Sequence, residues 1–132
     1  MSTTTTRSHS QEVTNHLRYI ENAITSVRTL HVKMKAIGIF EGPDFGPNGQ
    51  FEYIAASVLL RDVGDTMNRT VDIEKISKFH TKVMSIAEKA KLEKLMKQLE
   101  KEGEELALQE TILKGKVCAH EIKTFRYQRP NY

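Results

Sequence analysis

Five histidines and one cysteine are the side chains of this sequence most suited to a catalytic or metal site: His9, His16, His31, His80, His120 and Cys118. Their spacing argues against a catalytic or metal-binding constellation. No two histidines stand four residues apart, so no helix offers the paired imidazoles of a zinc hydrolase on one face. Cys118 and His120 are two apart, a separation that turns them to different faces of a helix and separates nucleophile from base. Gly42, Gly46 and Gly49 lack the lysine and threonine of a phosphate loop. The surrounding run Gly-Pro-Asp-Phe-Gly-Pro-Asn-Gly, residues 42–49, loosely matches the offsets of a calcium loop at Asp44, Asn48 and Gly49. Its twelfth position, however, is Ala55, where a bidentate glutamate belongs. The chain is therefore expected to be no enzyme and to use no cofactor or metal. His31 falls in an apolar series and is expected to be a polar residue of a helix seam, lending that seam some pH sensitivity.

The elements that position these residues follow from the apolar spacing. Seven of the first ten residues are serine or threonine, and residues 1–9 are expected to be a disordered tail. Ser10 stands where a helix N-cap belongs, and Val13, Leu17, Ile20, Ile24, Val27, Met34 and Ile37 follow at intervals suited to one helix face. This predicts a first helix over about 10–38, closed by Gly38, and then a Gly/Pro loop at 41–48. A second helix over about 49–68 carries Phe51, Ile54, Ala55, Val58, Leu59, Val63 and Met67 on a broad apolar face. Thr70 or Asp72 is placed to cap a third, with Ile73, Ile76, Phe79, Val83, Ile86 and Ala90 on one face. No proline interrupts the chain from there to Pro130, so the third helix is expected over about 72–120. Its length of about 72 Å would exceed what the first two helices could cover, unless it turned back at Gly103 or Gly115.

Leu92, Leu99, Leu106 and Leu113 recur every seven residues along that helix and form a continuous ridge. One companion row reads Lys89, Met96, Gly103, Glu110 and Val117; another reads Leu95, Glu102, Gln109 and Lys116. Neither is apolar enough for a strong parallel zipper, and the polar positions suit register and partner choice better than affinity. The ridge, Leu95 included, is thus expected to meet a complementary helix of another protein, or a second copy of the chain as a dimer.

Residues 121–132 read as a basic extended tail in which Lys123, Arg126 and Arg129 alternate with Phe125, Tyr127 and Tyr132. Phe125 and Tyr127 are expected to anchor in a protein partner. The second choice is nucleic acid, with Lys123, Arg126 and Arg129 on phosphates. The net charge of +3 conceals basic ends around an acidic middle, since residues 1–40 and 111–132 carry +3 and +4 while 41–74 carry −5.

With 132 residues, 39% apolar and 28% charged, the chain fits one small domain. A lone cysteine excludes a disulfide-stapled scaffold, and no run approaches the roughly 20 apolar residues of a membrane span. A soluble, intracellular protein of cytoplasm or nucleus is expected. The fold class is all-α: a three-helix bundle or helical hairpin whose long third helix extends into a coiled coil. The expected function is a non-enzymatic interaction subunit, an adaptor or scaffold of a multiprotein complex.

Overall fold

A computed structural model describes residues 2–42, 45 and 49–128, with side chains described at 11–42, 45 and 51–124. All regular structure among them is helical: α1 spans Ser2–Ala36, α2 Gly49–His80 and α3 Ile86–Gln128, with one short 3-10 turn at Thr81–Val83. Each helix packs on both others. Side-chain pairs set the directions. His16 of α1 meets Ser77 of α2, while Tyr53 near the start of α2 meets Glu121 near the end of α3. Contacts of α1 with α3 instead advance together, from Glu21 with Lys91 to Arg28 with Glu102. The chain therefore runs up, down and up again, with α1 and α3 parallel. No helix among the described residues is long and apolar enough to cross a membrane.

The core is one stripe from each helix. In α1 it is Val13, Leu17, Ile20, Ile24, Val27, Leu30 and Met34, and in α2 Ala56, Leu59, Val63 and Ile73. In α3 it is the leucine ridge, with Leu92, Leu99, Leu106 and Leu113 all buried and Val117 continuing the row. Leu95 and Met96 are half-buried against them. A seven-residue repeat keeps one face of a long helix turned to its neighbours, and here those neighbours are α1 and α2. The ridge expected to await another chain is occupied by its own.

The expectation went astray at the second break. Residues 68–72 are not a boundary, and α2 runs through them to His80. Asn68, Thr70 and Asp72 are weak helix formers, each costing only a fraction of a kcal/mol, and burial of Val63, Thr66 and Ile73 on either side holds the helix together. Thr70 also satisfies its hydroxyl locally by donating to the Thr66 carbonyl at 3.1 Å. The real break follows Thr81–Val83, where Met84 is extended at φ −82° and ψ 144°. Ser85 and Glu88 then open α3 with a reciprocal capping box. The Ser85 N–H donates to Glu88 Oε1 at 2.8 Å, and the Glu88 N–H donates to Ser85 Oγ at 3.2 Å. With α2 of 32 residues and α3 of 43, the helices are about 48 and 64 Å long. Little of α3 remains uncovered, and it does not turn back, for Gly103 and Gly115 lie within the continuous helix.

Two more boundaries differ. Helix α1 starts at Ser2, ahead of the start near Ser10 expected from the sequence. Residues 121–128, expected to be extended, continue α3. No proline follows the start of α3 before Pro130, and Val117, Glu121 and Thr124, at helix-compatible spacing, all face inward to some degree.

Gly38 ends α1 at φ +73°. The Ile39 N–H donates to the Met34 carbonyl at 3.3 Å and the Gly38 N–H to that of Lys35 at 3.0 Å, a Schellman motif. Its accompanying apolar pair, Met34 and Ile39, is buried. Lys116 of α3, itself only 7% exposed, completes the cap: its Nζ donates to the carbonyls of Gly38 and Glu41 at 2.9 Å each. A cation here also opposes the negative end of the α1 dipole.

Candidate functional site

The polar row that weakened the zipper reading positions the most elaborate side-chain cluster of the bundle. Leu95, Glu102, Gln109 and Lys116 repeat every seven residues; Glu102 and Gln109 meet α1, and Lys116 meets the turn that follows it. His31 lies opposite the middle of this row. Its Nδ1 is hydrogen-bonded to Gln109 Oε1, and its Nε2 lies 3.3 Å from Glu102 Oε2. Arg28 closes the group from one turn earlier on α1, donating from Nε to Glu102 Oε1 at 3.1 Å. An amide oxygen accepts only, so the contact to Gln109 puts the His31 proton on Nδ1. Nε2 is shut off from solvent, and its contact with Glu102 has ion-pair distance without hydrogen-bond geometry. His31 is thus the seam residue expected from the sequence, with its partners now named.

Beside this cluster α1 and α3 leave a groove of about 630 Å³, lined by Val32, Phe40, Leu108 and Ile112, with His31, Lys35, Glu105 and Gln109 supplying polar groups. Val32 and Leu108 are each 69% exposed, and Phe40 is 51% exposed. A concave apolar surface with a few polar groups is the usual form of a recognition site. A smaller space between α1 and α2 is lined by Thr25, Thr29, Thr66 and the mixed charges of Lys33, Asp62, Asp65 and Arg69. It has no comparable apolar surface.

Further apolar residues face outward on α2. Phe51, Ile54 and Val58, read as part of a core face, are exposed, because α2 buries the smaller Ala56 with Leu59 and Val63 instead. Around the α2–α3 turn Ile76, Phe79, Val83 and Ile86 are exposed although Ile73 from the same series is buried. The broad faces seen in the sequence therefore divide, one half to the core and one half outward.

The remaining sequence-derived candidates are dispersed. Lys123 is exposed on α3. Phe125, Arg126 and Tyr127 are on the last turn of α3 with side chains outside the described residues, and Arg129 lies outside them altogether. Cys118 is exposed, whereas His120 stacks on Tyr53 with ring centroids 4.7 Å apart, so no thiol–imidazole pair forms. The Tyr53 hydroxyl donates to Glu121 Oε1 at 2.9 Å; that hydrogen bond, more than burial, raises the phenol above its ordinary pKa. At the other end His16 is buried. Its Nε2 pairs with Ser77 Oγ at 2.7 Å, and its ring lies 4.7 Å from that of His80. Burial first, then the His80 charge, holds the His16 imidazole below its ordinary pKa.

Sequence reasoning missed Glu105, Leu108, Ile112, Val32 and Phe40. The signal for Leu108 and Ile112 was four-residue spacing just off the leucine ridge, which the ridge itself masked. Comparison with protein-family models, with curated proteins and with solved structures finds no match to the chain.

Proposed function

We propose that this chain is a non-enzymatic protein-interaction subunit whose α1–α3 groove receives the apolar face of a helix from a protein partner. The observation that carries this reading is the groove itself, with Val32, Leu108 and Ile112 open to solvent on two parallel helices and Phe40 beside them on the turn after α1. Such a surface suits a helix laid into it with apolar anchors three and four residues apart. The flanking Lys35 and Glu105 supply charges of both signs for orientation. The exposed apolar residues of α2 lie away from the groove lining and offer a further contact surface, in keeping with an adaptor inside a larger assembly.

The test is site-specific photocrosslinking in cells from a benzoylphenylalanine placed at Leu108 or Phe40, with Lys97 as the exposed control. A discrete crosslinked protein at the first two positions but not the third is expected. Leu108→Glu and Ile112→Glu should abolish that adduct from Phe40 while leaving the helical melting curve in place. Crosslinks of equal yield at Lys97, or adducts indifferent to both glutamates, would sink the proposal.

A further inference from the structure

We propose that His31, Glu102 and Glu105 form a binding site for a zinc-class divalent ion, which joins α1 to α3 at the rim of the groove. This does not depend on the partner reading, since every ligand belongs to the chain itself. One donor atom from each of the three residues lies within 4.8 Å of the others. Glu102 and Glu105 stand three apart on α3 and so share a face, while His31 approaches from α1.

The independent observation is the state of the imidazole. With Nδ1 donating to Gln109, the ring lone pair is on Nε2, which is buried and has no hydrogen-bond partner. Glu102 Oε2, another electron-pair donor, stands 3.3 Å from it. Two lone pairs turned toward each other call for a cation between them. An ion with affinity for imidazole nitrogen and carboxylate oxygen supplies that cation. One nitrogen and two oxygens leave the fourth tetrahedral position to water, as in open zinc sites.

The surrounding residues fit this role. Gln109 supplies the outer hydrogen bond that fixes the tautomer and orientation of a metal-ligating histidine. Arg28 holds Glu102 by Oε1 at 3.1 Å and leaves Oε2 directed at His31. Arg28 is about half exposed, so solvent screens its charge from an incoming ion.

The test is zinc titration of the chelator-treated full-length chain by calorimetry, repeated with cobalt, whose visible absorption reports its ligands. Saturable one-to-one binding and a rise in melting temperature are expected. Glu105→Gln, an exposed position whose change leaves the bundle intact, and Glu102→Gln should each weaken binding by about ten-fold or more, in the range seen when the support of a metal site is removed. Cys118→Ser should leave the affinity unchanged, and Leu108→Glu should retain zinc even where it loses a partner. Absence of saturable binding, full affinity in both glutamine variants, or loss of binding in Cys118→Ser would overturn the proposal.

Discussion

Leu106 and Leu108 are the same residue type two positions apart on one helix, yet Leu106 is 1% exposed and Leu108 is 69% exposed. A two-residue step turns a helix by about 200°, so the pair samples nearly opposite faces. Leu106 belongs to the seven-residue ridge that α1 and α2 cover; Leu108 belongs with Ile112 to the wall of the groove. Regular recurrence thus marks the face that holds the fold together, and the apolar residues that break the recurrence mark the face left for something else. Only the second is a natural place to look for recognition.

That contrast is sharpest in stability. Leu106→Ala or Leu99→Ala should cost about 2–5 kcal/mol, as expected when a fully buried leucine is truncated and leaves a cavity, whereas Leu108→Ala should stay within about 0.5 kcal/mol. Urea denaturation reads both directly. A cost at Leu108 equal to that at Leu106 would erase the distinction between the two faces.

Lys116 extends the comparison to the polar members of the buried side. Lys116→Ala takes the side-chain donor from the Glu41 carbonyl, leaves the Gly38 carbonyl with the Glu41 N–H alone, and should destabilise by about 1–3 kcal/mol. Exposed Lys114, two residues earlier on the same helix and paired with Glu110, should tolerate alanine with about 0–1 kcal/mol of change. Thermal melts of the two variants side by side test whether lysine burial, and not lysine content, stabilises this end.

At the opposite end the buried polar residue is sensitive to pH. The His16 pKa is depressed on folding, so the unfolded chain takes up its proton more readily than the folded chain. The stability that neutral His16 allows is complete above its unfolded value of about 6.5 and is lost as pH falls from there through the lowered folded value. Unfolding free energies measured from pH 8 to 5 should fall on the acid side, and His16→Gln should flatten the fall. A profile unchanged by that substitution would place the pH dependence elsewhere.

One further expected effect, small in size, has the opposite sign. Gly103 stands in the half-buried companion row of α3, and a Cβ added there meets no atom within 4 Å. Gly103→Ala should therefore stabilise the chain by about 0.5–1 kcal/mol through helix propensity alone, a gain readable as a higher melting temperature.

The sequence made some of this legible and hid the rest for identifiable reasons. The core face of α1 and its end at Gly38 could be read directly, because a long apolar series stops at a residue free to adopt positive φ. The leucine ridge was equally plain as a face. What covers it was not, since periodicity says which side of a helix is buried but not by what. The answer turned on the length of α2, and the break before Ser85 has neither glycine nor proline. Its signal was Ser85 with Glu88, a capping box that weighs less to the eye than Asn68, Thr70 and Asp72. Placing the boundary at those residues shortened α2 by about a third and left α3 looking too long for its own bundle. Among the site residues, Glu102, Gln109 and Lys116 stood out as polar interruptions at seven-residue spacing. Their partners did not, for His31 and Gly38 lie more than seventy residues away and are brought opposite only by the parallel packing of α1 and α3.

The separation of an interior ridge from an outward groove is tested most directly on the native chain by methyl NMR with a soluble paramagnetic gadolinium reagent, at a concentration where light scattering finds a monomer. The methyls of Leu99, Leu106 and Leu113 should keep their intensity, while those of Val32, Leu108 and Ile112 broaden strongly. Broadening of the ridge leucines to the level of Leu108 would show that the ridge faces solvent and would contradict the account.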